Sequence, residues 1–248
     1  MKLHALIAAL FVLSSPAVAA DRFFMTVWMI DDRDPLPGTR ELRPGDFVFK
    51  QRLLPAGLAQ LAPGVSSQGI PGLEDGTQLV ELQSRDALVF CDPVIRPKKL
   101  VGHAQTCLVD ADRDGRFEGL FLTSSVTKGI LTIQGKRPKT AKAIAPIAYR
   151  RLDPTEFNED LFVGLQYRGN ANLVGNHVFE IRFGSAEEMG SLTRRLLHKK
   201  GDIPGSKEVM GGRFTILGST PQGIDVRLDR PFPRQPFGVV QTTTYRVY

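Results

Sequence analysis

Apolar and polar residues alternate with a period of two along most of this chain, and a chain patterned that way builds sheets. In "HVFEIRF", Phe179, Ile181 and Phe183 face one way while Glu180 and Arg182 face the other. "GIDVRLD" sets Ile224, Val226 and Leu228 against Asp225 and Arg227, and "LFVGLQYRG" aligns Leu161, Val163, Leu165 and Tyr167. "RFFMTVWMI", "FVFKQRL", "TQLVELQ", "ALVFC", "ILTIQ" and "VVQTTTYRVY" are further candidates, so about a dozen strands are predicted. Strong breakers stand between them, among them "DPLPG", "LPAG", "IPG", "DPVIRP" and "RPFPRQPFG". The 24 glycines and 17 prolines suit a chain with many turns. Regular strand–turn spacing implies an all-β fold, an antiparallel β-sandwich in preference to a barrel. One short helix is expected near 185–198. There "SAEE" reads as a capping box, Met189, Leu192, Leu196 and Leu197 follow at helical spacing, and Lys199, Lys200 and Gly201 suit its end. Gly190 works against it.

The chain opens "MKLHALIAALFVLSSPAVAA". Lys2 precedes an apolar run from Leu3 to Leu13, which Ser14, Ser15 and Pro16 interrupt before the small-residue signal Ala17-Val18-Ala19. That run is too short to span a bilayer, so residues 1–20 are expected to be a cleaved secretory signal. Residues 21–248 are expected to form a single β-rich domain, with 70 and 153 as the places where a sub-division could fall. No later apolar run approaches ~18 residues, so no transmembrane segment is expected in the mature chain. The only two cysteines are Cys91 and Cys107, and an even count in an exported chain implies one disulfide. It would close a loop of about 16 residues, worth roughly 3 kcal/mol. The periplasm or the extracellular space is the expected location.

The segment "CLVDADRDGRFEGLFL" carries the most specific chemistry. Asp110, Asp112 and Asp114 alternate, Gly115 permits a sharp turn, the main-chain carbonyl of Arg116 comes into reach, and Glu118 takes the ninth position. Calcium requires six to eight oxygen ligands at short range, and alternate positions on a tight loop can aim several carboxylates at one point. "DADRDGRFE" resembles the DxDxDG calcium-loop class shared by EF-hands, dockerins and the FG-GAP repeats of integrin-type propellers. The resemblance covers these nine residues only. Glu118 matches the acidic ninth position of the strand-flanked FG-GAP form, whereas Phe121 stands where an EF-hand carries its last glutamate. The resemblance implies one weak, structural Ca2+ held by Asp110, Asp112, Asp114, Arg116 and Glu118. A single copy gives no basis for a propeller, and a solvated hairpin turn would use the same residue types.

Nothing else forms a recognised catalytic pattern. There is no G-x-S-x-G or H-E-x-x-H motif, and no local logic joins His103, His177 or His198 to a nucleophile. His177 reads as a structural edge residue and His198 as part of a solvated helix end. Three basic segments, "RPKK" (96–99), "KRPKTAK" (136–142) and "RRLLHKK" (194–200), accompany a net charge of +6. They suit an anionic envelope surface or glycan; an exported chain without a binding motif is not expected to take nucleic acid. The terminal Tyr248 raises an outer-membrane barrel, but Arg246 and Thr244 break its lipid-facing register. The sequence thus assigns no catalytic residue. It leads to an exported envelope protein with a structural or binding role, held by one disulfide and one calcium ion. The alternatives are a periplasmic metal-dependent hydrolase using the acidic loop and a binder of anionic envelope components.

Overall fold

A computed structural model describes residues 23–240 apart from 34, 36, 67–68, 71, 95, 98–102, 128, 172–174 and 193–194. Residues 1–20, expected to be a secretory signal, and the terminal Tyr248 therefore lie outside the described residues. The first half supplies β1 (Phe23–Thr26), β2 (Trp28–Ile30), β3 (Gly38–Leu42), β4 (Phe47–Pro55) and β5 (Leu58–Leu61). It continues with β6 (Gln78–Ser84), β7 (Leu88–Cys91), β8 (Arg96–Pro97), β9 (His103–Asp110) and β10 (Arg116–Thr123). The second half supplies β11 (Gln134–Lys136), β12 (Lys142–Leu152), β13 (Phe162–Ala171), β14 (Asn176–Gly184) and β15 (Met189–Ser191). It ends with β16 (Leu196–His198), β17 (Gly205–Val209), β18 (Gly212–Ser219), β19 (Ile224–Arg230) and β20 (Pro236–Phe237). Two 3-10 turns, Pro154–Glu156 and Lys200–Asp202, stand between strands.

The fold is all-β, antiparallel and sandwich-like, as the alternation predicted. Its strands form sheets of nine, seven and four members. The seven-stranded sheet runs β15-β14-β13-β4-β2-β20, with β16 also on β14, and the four-stranded sheet runs β17-β18-β19-β3. The largest sheet bends back on itself. One edge of β6 is shared by β5 and β1, and its other edge pairs with β7. Strands β5, β6, β7, β9, β10 and β12 thereby close a six-membered antiparallel ring.

Period-two alternation gives the ring two apolar faces. Val89, Cys91, Cys107, Val109 and Phe121 face the main core, where they join Phe49, Leu53, Val163, Phe179, Phe214 and Val226 from the other two sheets. Ala59, Leu61, Leu79, Phe90, Leu108, Phe117 and Ile147 form a separate cluster, the ring interior, which Val65 and Leu73 extend from the β5–β6 connection. Cys91 and Cys107 lie directly opposite each other on β7 and β9 and form the expected disulfide, fully buried in the ring wall. Two satisfied polar side chains tie the layers together. The Trp28 indole N–H donates to Leu131 O at 2.9 Å. The buried Gln51 amide donates to Asp31 O and Phe232 O and accepts the Phe232 N–H.

The expected helix at 185–198 does not form. Glu188 N–H donates to Ser185 Oγ at 3.1 Å, so the capping interaction is present, but it closes a single turn. The chain then enters β15, which pairs with 182–184 of β14, and β16, which pairs with 177–179. The unpaired edge of β14 offers main-chain hydrogen bonds and a buried apolar face, and these outweigh the helix propensity of a short segment containing Gly190. His198 accordingly sits on β16, buried, rather than on a solvated helix end.

Candidate metal centre

The hairpin joining β9 to β10 carries the acidic loop, and the ring determines where its first residue points. Cys107 and Val109 face the main core, so Leu108 and Asp110 face the ring interior. Asp110 is 0% exposed. Its Oδ2 accepts two hydrogen bonds, from the Tyr149 hydroxyl at 2.8 Å and from Gly115 N–H at 3.2 Å. Its Oδ1 is buried and has no hydrogen-bond partner among the described residues. An unpaired buried oxygen of this kind costs a desolvation penalty that a bound cation would remove.

The loop folds the other acids toward it. Arg113 (φ 64°) and Gly115 (φ 88°) both lie in the left-handed region, which reverses the chain within a few residues. One ligand oxygen from each of Asp110, Asp112 and Glu118 then falls within 4.8 Å of the other two. That separation matches the diameter of a coordination sphere with calcium–oxygen distances of about 2.4 Å. Glu118 also accepts the Ala111 N–H at 2.6 Å. Asp114, flanked by the two left-handed residues, is not among these three; its Oδ1 accepts the Arg116 N–H at 2.8 Å. Of the four acids named from the spacing, the structure thus gathers three, Asp110, Asp112 and Glu118, that could hold a metal ion. The Arg116 side chain is exposed at the start of β10.

Tyr149 belongs to this site although no local sequence pattern marks it. It grips the loop twice, through its hydroxyl on Asp110 and through its own N–H, which donates to Gly115 O at 3.3 Å. Its ring stacks on Phe117 at 4.2 Å and lies 5.5 Å from Phe90. Burial, and after it the hydrogen bond to Asp110, push the phenol's pKa up, so it holds its proton as a donor. Only the register of β12 against β10 and β5 brings position 149 here.

The remaining candidates lie elsewhere. His177 and His198 oppose each other across β14 and β16, both buried. His177 Nδ1 meets the Tyr167 hydroxyl at 3.0 Å and its Nε2 meets Ser219 Oγ at 3.3 Å. Burial comes first among the causes that lower its pKa, and the imidazole is therefore a neutral, internally bonded group. The side chain of His103 lies outside the described residues. The three basic segments occupy different places: Lys136 is on β11, Arg137 is spent on Asp86 at 2.6 Å, and 196–198 form β16 in another sheet. Residues 98–99 and 194 lie outside the described residues.

No family model, curated protein or solved structure matches this chain. Fold and site together define it as an all-β, disulfide-bonded chain with a partly buried acidic cluster. Among the described residues, no helix is long and apolar enough to cross a membrane.

Proposed function

We propose that this is an exported envelope protein with a structural or binding role, in which the β9–β10 loop holds one calcium ion as an internal clamp. The observation that carries the proposal is the Asp110 carboxylate, fully buried with Oδ1 unpartnered and with Asp112 and Glu118 within ligand distance of each other and of it. The resemblance of "DADRDGRFE" to the DxDxDG loops supports calcium as the ion, and the leader-like start and the disulfide support export. Because Tyr149 joins the loop to β12, an ion there would brace the ring rather than perform chemistry. The hydrolase alternative finds less support: His177 and His198, the histidines whose side chains are described, are on β14 and β16, and the Tyr149 hydroxyl beside Asp110 is a retained proton rather than a base.

Three acids and a carbonyl leave the coordination shell to be completed by water, and Arg113 and Arg116 weaken the local field, so a Kd of about 0.1 mM is expected. At about 1 mM calcium that affinity stabilises the fold by ~1.4 kcal/mol, a rise of about 3–5 °C in Tm. The measurement is thermal unfolding in calcium and in chelator, with Asp112→Ala as the control that abolishes the rise. Identical wild-type curves in the two buffers would remove the calcium reading.

A further inference from the structure

The outer face of the seven-stranded sheet carries more positive charge than folding requires. On β13 and β14 the residues Val163, Leu165, Phe179, Ile181 and Phe183 point into the core, so Gly164, Gln166, Glu180 and Arg182 point away from it. Three guanidinium groups converge on the Glu180 carboxylate. Arg195 Nε donates to it at 2.9 Å, Arg168 Nε lies at 3.3 Å, and Arg182 Nη1 lies at 3.8 Å. Across the sheet, Gly164 is paired with Lys50 on one side and Arg182 on the other. Lys50 has no carboxylate partner among the described residues; its ammonium rests 4.9 Å from the Phe162 ring centroid.

One arginine is enough to neutralise Glu180, and the other three cations repel one another. Arg182 is the least satisfied. Its Nε is buried without an acceptor, and its 3.8 Å approach to Glu180 is an ion pair beyond hydrogen-bond length. A guanidinium with an unfilled Nε donor, beside Arg168 and Arg195 and across Gly164 from Lys50, has the chemistry of a tetrahedral oxyanion site.

We propose that Arg182, with Arg168, Arg195 and Lys50 around it, binds phosphate-type oxyanions on this face. The ligand chemistry is a phosphate ester, carried either by a lipid headgroup or by a small soluble phosphate. None of these residues belongs to the metal loop, so the proposal stands or falls separately from calcium.

The test follows the arginine Nε–H resonances of the oxidised chain by NMR during titration with inorganic phosphate, with chloride holding ionic strength constant. Arg182 is assigned by the loss of its signal in Arg182→Gln. A saturable shift of Arg182 that weakens in Lys50→Glu is the expected result. Lys50 is exposed and makes no contact with Glu180, so this variant reads the site without disturbing the buried carboxylate. A second arm measures adsorption to vesicles of phosphatidylcholine alone and of phosphatidylcholine with phosphatidylglycerol. Adsorption to the second kind only, weakened about fivefold by removal of each cation, assigns the site to lipid headgroups. A saturable shift without adsorption assigns it to a soluble phosphate ester. An Arg182 signal that phosphate moves no more than chloride does overturns the proposal.

Discussion

Tyr149→Phe removes one hydroxyl from a buried carboxylate and leaves everything around it in place. The phenyl ring of the variant can keep its 4.2 Å stack on Phe117, and the main-chain bond to Gly115 O does not involve the side chain. Asp110 would then rely on Gly115 N–H alone. A hydrogen bond to a charged acceptor contributes about 1.5–3 kcal/mol net, and Tyr149 is only partly buried, which places this one near the lower end, at about 1.5–2 kcal/mol. For a chain of this size that is a fall in Tm of about 3–8 °C. The assay is thermal unfolding followed by circular dichroism, in chelator so that no ion compensates. A pH series adds a signature that simple loss of packing would not give. The phenol's pKa is raised above its ordinary 10.0 by burial and by Asp110. A raised folded-state pKa means that the contribution is complete below about pH 10 and is lost as pH climbs through the folded value. The stability difference between wild type and variant should therefore be constant near neutrality and shrink in alkali. A Tm difference below about 1 °C at neutral pH would refute the reasoning, because the hydroxyl would not then be serving Asp110 in solution.

Other expectations are more direct. Replacing both Cys91 and Cys107 by alanine should cost about 3 kcal/mol through release of the loop they close, read as a lower urea midpoint with a steeper slope, because the unlinked denatured chain exposes more surface. Gln51→Leu strands two carbonyls and one N–H that its amide now serves, and should destabilise by about 3 kcal/mol in the same assay; a near-neutral result would mean that water replaces the amide. Phe117→Ala empties the centre of the ring interior and should cost about 3–5 kcal/mol, with loss of the near-ultraviolet signal of Tyr149.

Much of the strand content was legible because burial on one face imposes a period of two, and "HVFEIRF" and "GIDVRLD" became β14 and β19. The segment 185–198 was misread for a physical reason. Leu192, Leu196 and Leu197 fit a helical stripe, yet they fit two short edge strands equally well, and only the open side of β14 decides between them. The acidic loop was legible as a cluster but not in its membership. Asp114 alternates with Asp110 and Asp112 in sequence, but it lies between left-handed residues at Arg113 and Gly115, its Oδ1 accepts the Arg116 N–H, and it falls outside the group of three. Tyr149 was invisible because its role depends on strand pairing across 39 residues. The arginines around Glu180 were hidden for the same reason: Arg168, Arg182 and Arg195 are scattered in sequence and meet only through the β13–β14 register and the connection that follows β15.

The seam between β12 and β5 joins positions far apart in the chain, as the Arg150–Gln60 hydrogen bond across 90 residues records. A polypeptide delivered from its N-terminus therefore holds the first five members of this ring as an open curl until Tyr149–Leu152 arrive. For that interval Phe90, Leu108 and Phe117 remain wet, and exposed apolar curls invite unwanted association. Lesions in the last-arriving member should consequently show themselves as poor recovery of folded material before they show as a weaker finished product.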